Sequence, residues 1–240
     1  MKRHRILGVG MALILTPLFL FGYGPGTVKR LTDVSLRLAP PSLRSPLLAY
    51  RTNLDRGVAE ALDGFSTASP ERVAAEAAAE YALVPKLPSE RMPFEVIAYH
   101  FGRLAGLIFL INDPLATVGD ARAGEVHLDY LAYVERKLPL MMFAFDGYGS
   151  PPMGADLEGY LMRRSEASKR YREAVLFCYF PEGRRISSST FDDRSNAFGV
   201  AQVALSHAAS DTAKAWLNCW RAMDGDLAAT PYYDPNKAGR

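Results

Sequence analysis

His207 and Asp211 stand four residues apart, a spacing that sets two side chains on one face of a helix, where both can reach a single cation. Imidazole nitrogen and carboxylate oxygen are both zinc donors, and His127 or His100 would supply a third. The competing reading is structural: His207 and Asp211 as a surface hydrogen-bonded pair worth roughly a few tenths of a kcal/mol, with His127 capping or bracing its own helix. Ser206, His207 and Asp211 are the three residue types of a nucleophilic triad. Adjacent helical residues, however, point about 100° apart, so Ser206 and His207 do not face one another. Asp192, Asp193, Arg194 and Ser195 cluster where the last helix is expected to begin, near Phe191. Carboxylates there satisfy free N–H groups and the helix dipole without any chemistry. Cys178 and Cys219 leave two alternatives open, a disulfide between the two long C-terminal helices or two buried thiols.

The elements that would position these residues are helices. "SPERVAAEAAAEYALVP" opens with Ser69 as N-cap and Pro70 at the first helical position, and stops near Pro85. "PFEVIAYHFGRLAGLIFLI" is apolar almost all round. It is a central buried helix or a membrane span, and Glu95, His100 and Arg103 within it favour the buried helix. "VHLDYLAYVERKL" is amphipathic, and so is the longer "DLEGYLMRRSEASKRYREAVLFCYF", whose basic residues from Arg163 to Arg172 read as a solvated face. In the last helix Ala201, Leu205, Ala208, Thr212, Trp216, Cys219 and Met223 recur every three or four residues, and Gly225 ends the pattern. No segment alternates with period two, so the class is all-α.

The chain has 240 residues, 49% of them apolar, enough to bury one domain. A net charge of +2 without a dense basic face interleaved with aromatics argues against a nucleic-acid partner. The opening "MKRHRILGVGMALILTPLFLFG" couples a basic start to an apolar run from Ile6 to Gly22. Lys2, Arg3 and Arg5 keep that end cytoplasmic, so the remainder of the chain is exported. Cleavage after Gly22 would put Leu20 where a small residue is wanted. Residues 1–22 are therefore a signal peptide or a membrane anchor, residues 23–240 a helical domain on the periplasmic side.

"YGPGT" after the export segment resembles the "WGPGTH" start of zinc-dependent phospholipase C, whose all-helical fold is shared with single-strand nucleases. "LAPPSLRSPLLAYRTNLDRGVAEAL", "FGRLAGLIFLINDPLA" and "HLDYLAYVE" are similar, in the same order, to that family's "PP-x-LR … FLYG-x-x-APD", "LG-x-LAHYLGD-x-x-x-PLH" and "H-x-x-FE-x-Y" stretches. The resemblance implies a three-zinc site built from an N-terminal Trp, five His, two Asp and a Glu. Carried onto this chain, eight of those nine positions are Tyr23, Val28, Leu62, Gly106, Leu110, Ala116, His127 and Leu131, with Asp63 standing in for Leu62 only if the alignment slips by one, and the remaining His, due between residues 64 and 92, has no counterpart. Val28, Leu62, Gly106, Leu110, Ala116 and Leu131 carry no donor atom, and only His100, His127 and His207 lie beyond the N-terminal segment.

The expectation is thus a catalytically silent relative without cofactor, acting as a binding or structural component of the cell envelope. Its partners would be the membrane, through residues 6–22, and other envelope or membrane-complex subunits. The alternative is a residual metal-dependent phosphoesterase of the phospholipase C type, with zinc drawn from His127, His207, Asp211 and Asp63.

Overall fold

The computed structural model describes residues 23–116, 120–149, 153 and 156–234, so the proposed anchor at residues 1–22 lies outside the described residues. Among those described, the chain is all-helical, with eight α-helices: α1 Pro25–Leu38, α2 Pro41–Ala49, α3 Arg51–Phe65, α4 Pro70–Leu83, α5 Phe94–Asn112, α6 Ala121–Lys137, α7 Leu157–Tyr179 and α8 Asn196–Ala222.

Local signals account for many of the starts. Ser69 accepts a hydrogen bond from the Arg72 amide (3.4 Å) with Pro70 next to it, Asp120 accepts from Arg122 and Ala123, and Asp156 accepts from Gly159. The last helix begins later than expected. Phe191 lies before it, Asp192 closes a turn by accepting from the Arg194 amide (2.9 Å), and Ser195 is the N-cap that accepts from Phe198 (3.2 Å). A hydroxyl set three residues before a free N–H captures it with little strain, so Ser195 rather than the aspartates sets the boundary.

Helix α5 runs through the middle of the bundle, packed by α3, α4, α7 and α8. Trp216 of α8 donates its indole N–H to the Phe101 carbonyl (3.0 Å) and meets the Phe101 ring edge-on. The α3–α5 contact is close because glycines make it so. A Cβ on Gly102 would lie 2.0 Å from the Leu54 carbonyl oxygen, one on Gly57 2.0 Å from that of Tyr99, and one on Gly106 2.7 Å from that of Val58.

The start of α1 is held from a distance. Glu135 of α6 accepts from the amides of Gly26 and Thr27 (both 2.8 Å) and from the Thr27 hydroxyl (2.6 Å). "YGPGT" therefore builds a helix N-terminus that receives a carboxylate, stabilised by the free N–H groups and the helix dipole. Gly24 and Gly26 leave room for it, since a Cβ on either would fall within 2.5 Å of a Glu135 oxygen.

Two further expectations are corrected. The stretch from Arg163 to Arg172 is not uniformly solvated: Arg164 and Arg172 keep only 12% and 13% of their side chains exposed, because each turns to acidic groups on neighbouring segments. Cys178 and Cys219 are both free thiols, so the disulfide alternative falls. Each points its sulfur at a backbone carbonyl instead, Ala174 for Cys178 and Tyr81 for Cys219.

Candidate functional site

The C-terminal end of α5 carries Asn112 and Asp113, both buried, and from them two polar clusters extend. Pro114 ends the helix, since it cannot continue the hydrogen-bond ladder. Asp113 then turns back to accept from the Leu115 amide (2.9 Å) and pairs its other oxygen with His127 Nε2 (2.8 Å). Burial alone would lower the His127 pKa, but the charge and hydrogen bond of Asp113 outweigh it and raise it. Metal coordination requires the neutral ring, so the Asp113 contact, which favours the protonated form, works against it.

Tyr23 and Tyr130 lie near the same carboxylate, and their hydroxyls have no hydrogen-bond partner among the described residues. Burial, reinforced by the Asp113 charge, pushes both phenols well above their ordinary pKa, so neither is an acid or nucleophile near neutrality. On the other side Leu110, Asp113 and Ala116 border a crevice of about 10 Å³ with Phe65, Val73 and Ser165. That space holds at most about one water molecule.

The second cluster surrounds Asp211, which is fully buried on α8. It accepts from the Tyr160 hydroxyl (2.5 Å), Arg164 (2.9 Å) and the Asn112 amide (3.3 Å), with the Lys214 ammonium 3.8 Å away. Arg164 also reaches Asp146 (3.0 Å), whose same oxygen lies 3.8 Å from His207 Nε2. Burial and the Arg164 charge lower the His207 pKa, so that last contact is not between opposite charges at neutral pH. Burial likewise lowers the Lys214 pKa.

His207 and Asp211 are therefore not the expected surface pair. One helical turn places them together, but Asp211 is taken by Tyr160, Arg164 and Lys214, while the nearest acid to His207 is Asp146. Ser206 accepts from the Ala144 amide (3.1 Å), so Ser206, His207 and Asp211 each have separate partners. His100 joins neither cluster: it bonds Glu80 (2.7 Å), which also holds Arg103 (2.5 Å). Asp63 is exposed near the end of α3. Tyr23, Leu62, Gly106, Leu110 and Leu131 are buried, while Val28 and Ala116 are half-buried. His127, Leu131 and Glu135 form one stripe along α6, its ends pairing with Asp113 and with the start of α1.

Sequence reasoning missed Asp113, Tyr130, Glu135 and Arg164. An Asp–Pro step closing an apolar helix is the one local sign that could have marked Asp113, since it predicts a carboxylate turned back on its own chain. Among the described residues no group of three His, Cys, Asp or Glu side chains is arranged to hold a metal ion. No protein-family model, curated protein or solved structure matches the chain.

Proposed function

We propose that this protein is a catalytically silent relative of zinc-dependent phospholipase C, exported and held at the cell envelope. There it acts as a binding or structural component, including as a subunit of a membrane complex. The observation that carries this reading is the chemistry gathered around Asp113. Tyr23, Leu110, Ala116 and His127, four positions to which the resemblance assigns zinc ligands, border or contact that one carboxylate. Two are hydrocarbon, one is a high-pKa phenol, and the histidine is engaged by Asp113 itself. A cluster of metal-bound carboxylates and imidazoles would be costly to bury without its ions. Conversion to leucine, alanine and a neutralised Asp–His pair removes that cost.

Gly106 adds a steric argument. The α3 backbone stands where a ligand side chain at this position would begin, so restoring a histidine would require the helices to separate. The deciding experiment is element-resolved metal analysis of protein purified without chelators, alongside phosphatidylcholine and phosphodiester hydrolysis. The expected result is less than one zinc per chain and background turnover, since no metal-activated water forms. Two or three tightly held zinc ions, or metal-dependent turnover abolished by His127→Ala, would establish the residual hydrolase instead.

A further inference from the structure

Residues 141–147 form no helix, and their attachment to α8 is regular. The amide of Met142 donates to Gln202 Oε1 (3.2 Å), that of Ala144 to Ser206 Oγ (3.1 Å) and that of Asp146 to Ser210 Oγ (3.2 Å). Every second amide of the segment meets every fourth residue of the helix. Two residues of extended chain advance about 7 Å and four residues of helix about 6 Å, so the two ladders match only if the segment is extended. In extended chain successive N–H groups point to opposite edges. The edge carrying Phe143 and Phe145 thus faces away from Gln202, Ser206 and Ser210, and among the described residues neither amide makes a hydrogen bond.

Phe143 and Phe145 line a groove of about 650 Å³ shared with Val34, Arg37 and Leu38 of α1 and with Pro231 and Tyr232. Phe143, Phe145, Tyr232 and Leu38 give it apolar walls, and the Tyr232 ring packs on Phe145 at 5.9 Å. Its charges are unbalanced. Asp146 is engaged by Arg164, whereas Arg37 lies exposed with no ion pair among the described residues. Arg30, beside the groove rather than in its lining, sits over the Phe143 ring at 5.4 Å.

We infer that this groove takes an extended acidic peptide of a partner protein, which pairs its backbone with the free edge at Phe143 and Phe145 and sets alternate carboxylates toward Arg37 and Arg30. Main-chain pairing provides the affinity, and the aromatic walls select apolar residues at the other alternate positions. The inference rests on the accessory reading above and names the class of partner that such a component would hold.

The test titrates the detergent-solubilised full-length chain with fluorescent acetyl-Val-Asp-Val-Asp-Val-Asp-amide. Expected is saturable binding, weakened roughly tenfold or more when alternate peptide amides are N-methylated, because two hydrogen bonds are lost. Arg37→Glu, which breaks no hydrogen bond or ion pair among the described residues, should weaken it comparably, and substituting Lys for Asp in the peptide should abolish it. No binding up to millimolar peptide, or equal binding of the N-methylated form, overturns the inference. Displacement by decanoate with no effect of N-methylation would mark the groove as a site for small amphiphiles instead. Metal content and turnover, measured on the same sample, judge the accessory reading separately, so a zinc-free inactive chain that ignores the peptide removes only the groove.

Discussion

At the residue scale the buried charges are balanced by specific partners, and removing one partner should cost more than the pair contributes. Asp211 is fully buried against Arg164, Lys214, Tyr160 and Asn112. Asp211→Ala removes the buried carboxylate shared by Arg164 and Lys214, leaving Arg164 with Asp146 as its one acidic partner among the described residues, and should destabilise the fold by about 3 kcal/mol, read as a lower urea midpoint. The pH dependence has two arms of opposite sign. Burial would raise the Glu80 pKa, but His100 and Arg103 outweigh it and lower it. Its contribution is therefore complete above the ordinary value of about 4.3 and disappears as pH falls through the lowered folded value. Glu80→Gln should be less stable than the parent at pH 7, with a gap that narrows toward pH 3. The His127 pKa is raised, so its pairing with Asp113 stabilises fully below about 6.5 and fades as pH climbs through the raised value. For His127→Gln the stability gap should shrink between pH 6 and 9, and a constant gap would show that the imidazole does not titrate as the geometry requires.

At the element scale the fold depends on close approach. Gly102 and Gly106 let α5 lie against the α3 backbone, and a methyl group on Gly102 has backbone rather than a movable side chain in its way. Alanine is the better helix former by about 1 kcal/mol, so Gly102→Ala separates the two effects. Overlap at 2.0 Å must win, and a lower melting temperature is expected despite the improved propensity. Gly106→Ala, with its 2.7 Å approach, should be milder. The contact between α1 and α6 rests on Glu135, which satisfies two backbone amides and a hydroxyl across 108 and 109 residues of sequence. Glu135→Ala should cost about 1–2 kcal/mol, in the range of a lost helix cap, and should speed amide hydrogen exchange in the first turn of α1 before it does so in α5.

At the scale of the whole molecule, residues 1–22 are expected to decide where the domain sits. Under the proposed reading the chain descends from enzymes whose freed N-terminal residue is itself a ligand, so that cleavage of their leader is obligatory. Tyr23 at that position has no such role in a zinc-free chain, and Leu20 and Gly22 make a poor cleavage signal. The apolar run is nearly long enough to cross a bilayer that adapts locally. The native protein is expected in the membrane fraction with residues 1–22 retained, its domain away from the cytoplasm. Intact mass would show this directly, and a species starting at Tyr23 that is released by osmotic shock would place the domain free in the periplasm.

Periodicity and caps in the sequence were enough to specify the helical class, the Ser69–Pro70 start of α4 and the apolar stripe of α8, because these depend on neighbours within a turn or two. That Val28, Leu110 and Leu131 carry no donor atom is likewise a matter of sequence, since a side chain's donor atoms are set by its identity alone. Tertiary structure decided what the remaining polar residues do. Nothing local distinguishes Arg164, turned inward to Asp211, from Arg163, which is exposed one position earlier. Spacing suggested that Asp211 would serve His207, but burial handed it to residues 47 and 51 positions away. Glu135 reads as one more acid in an amphipathic helix until α1 delivers its free amides to it. A buried charge takes whichever partner the packing brings within about 3 Å, and that choice is made only when distant helices meet.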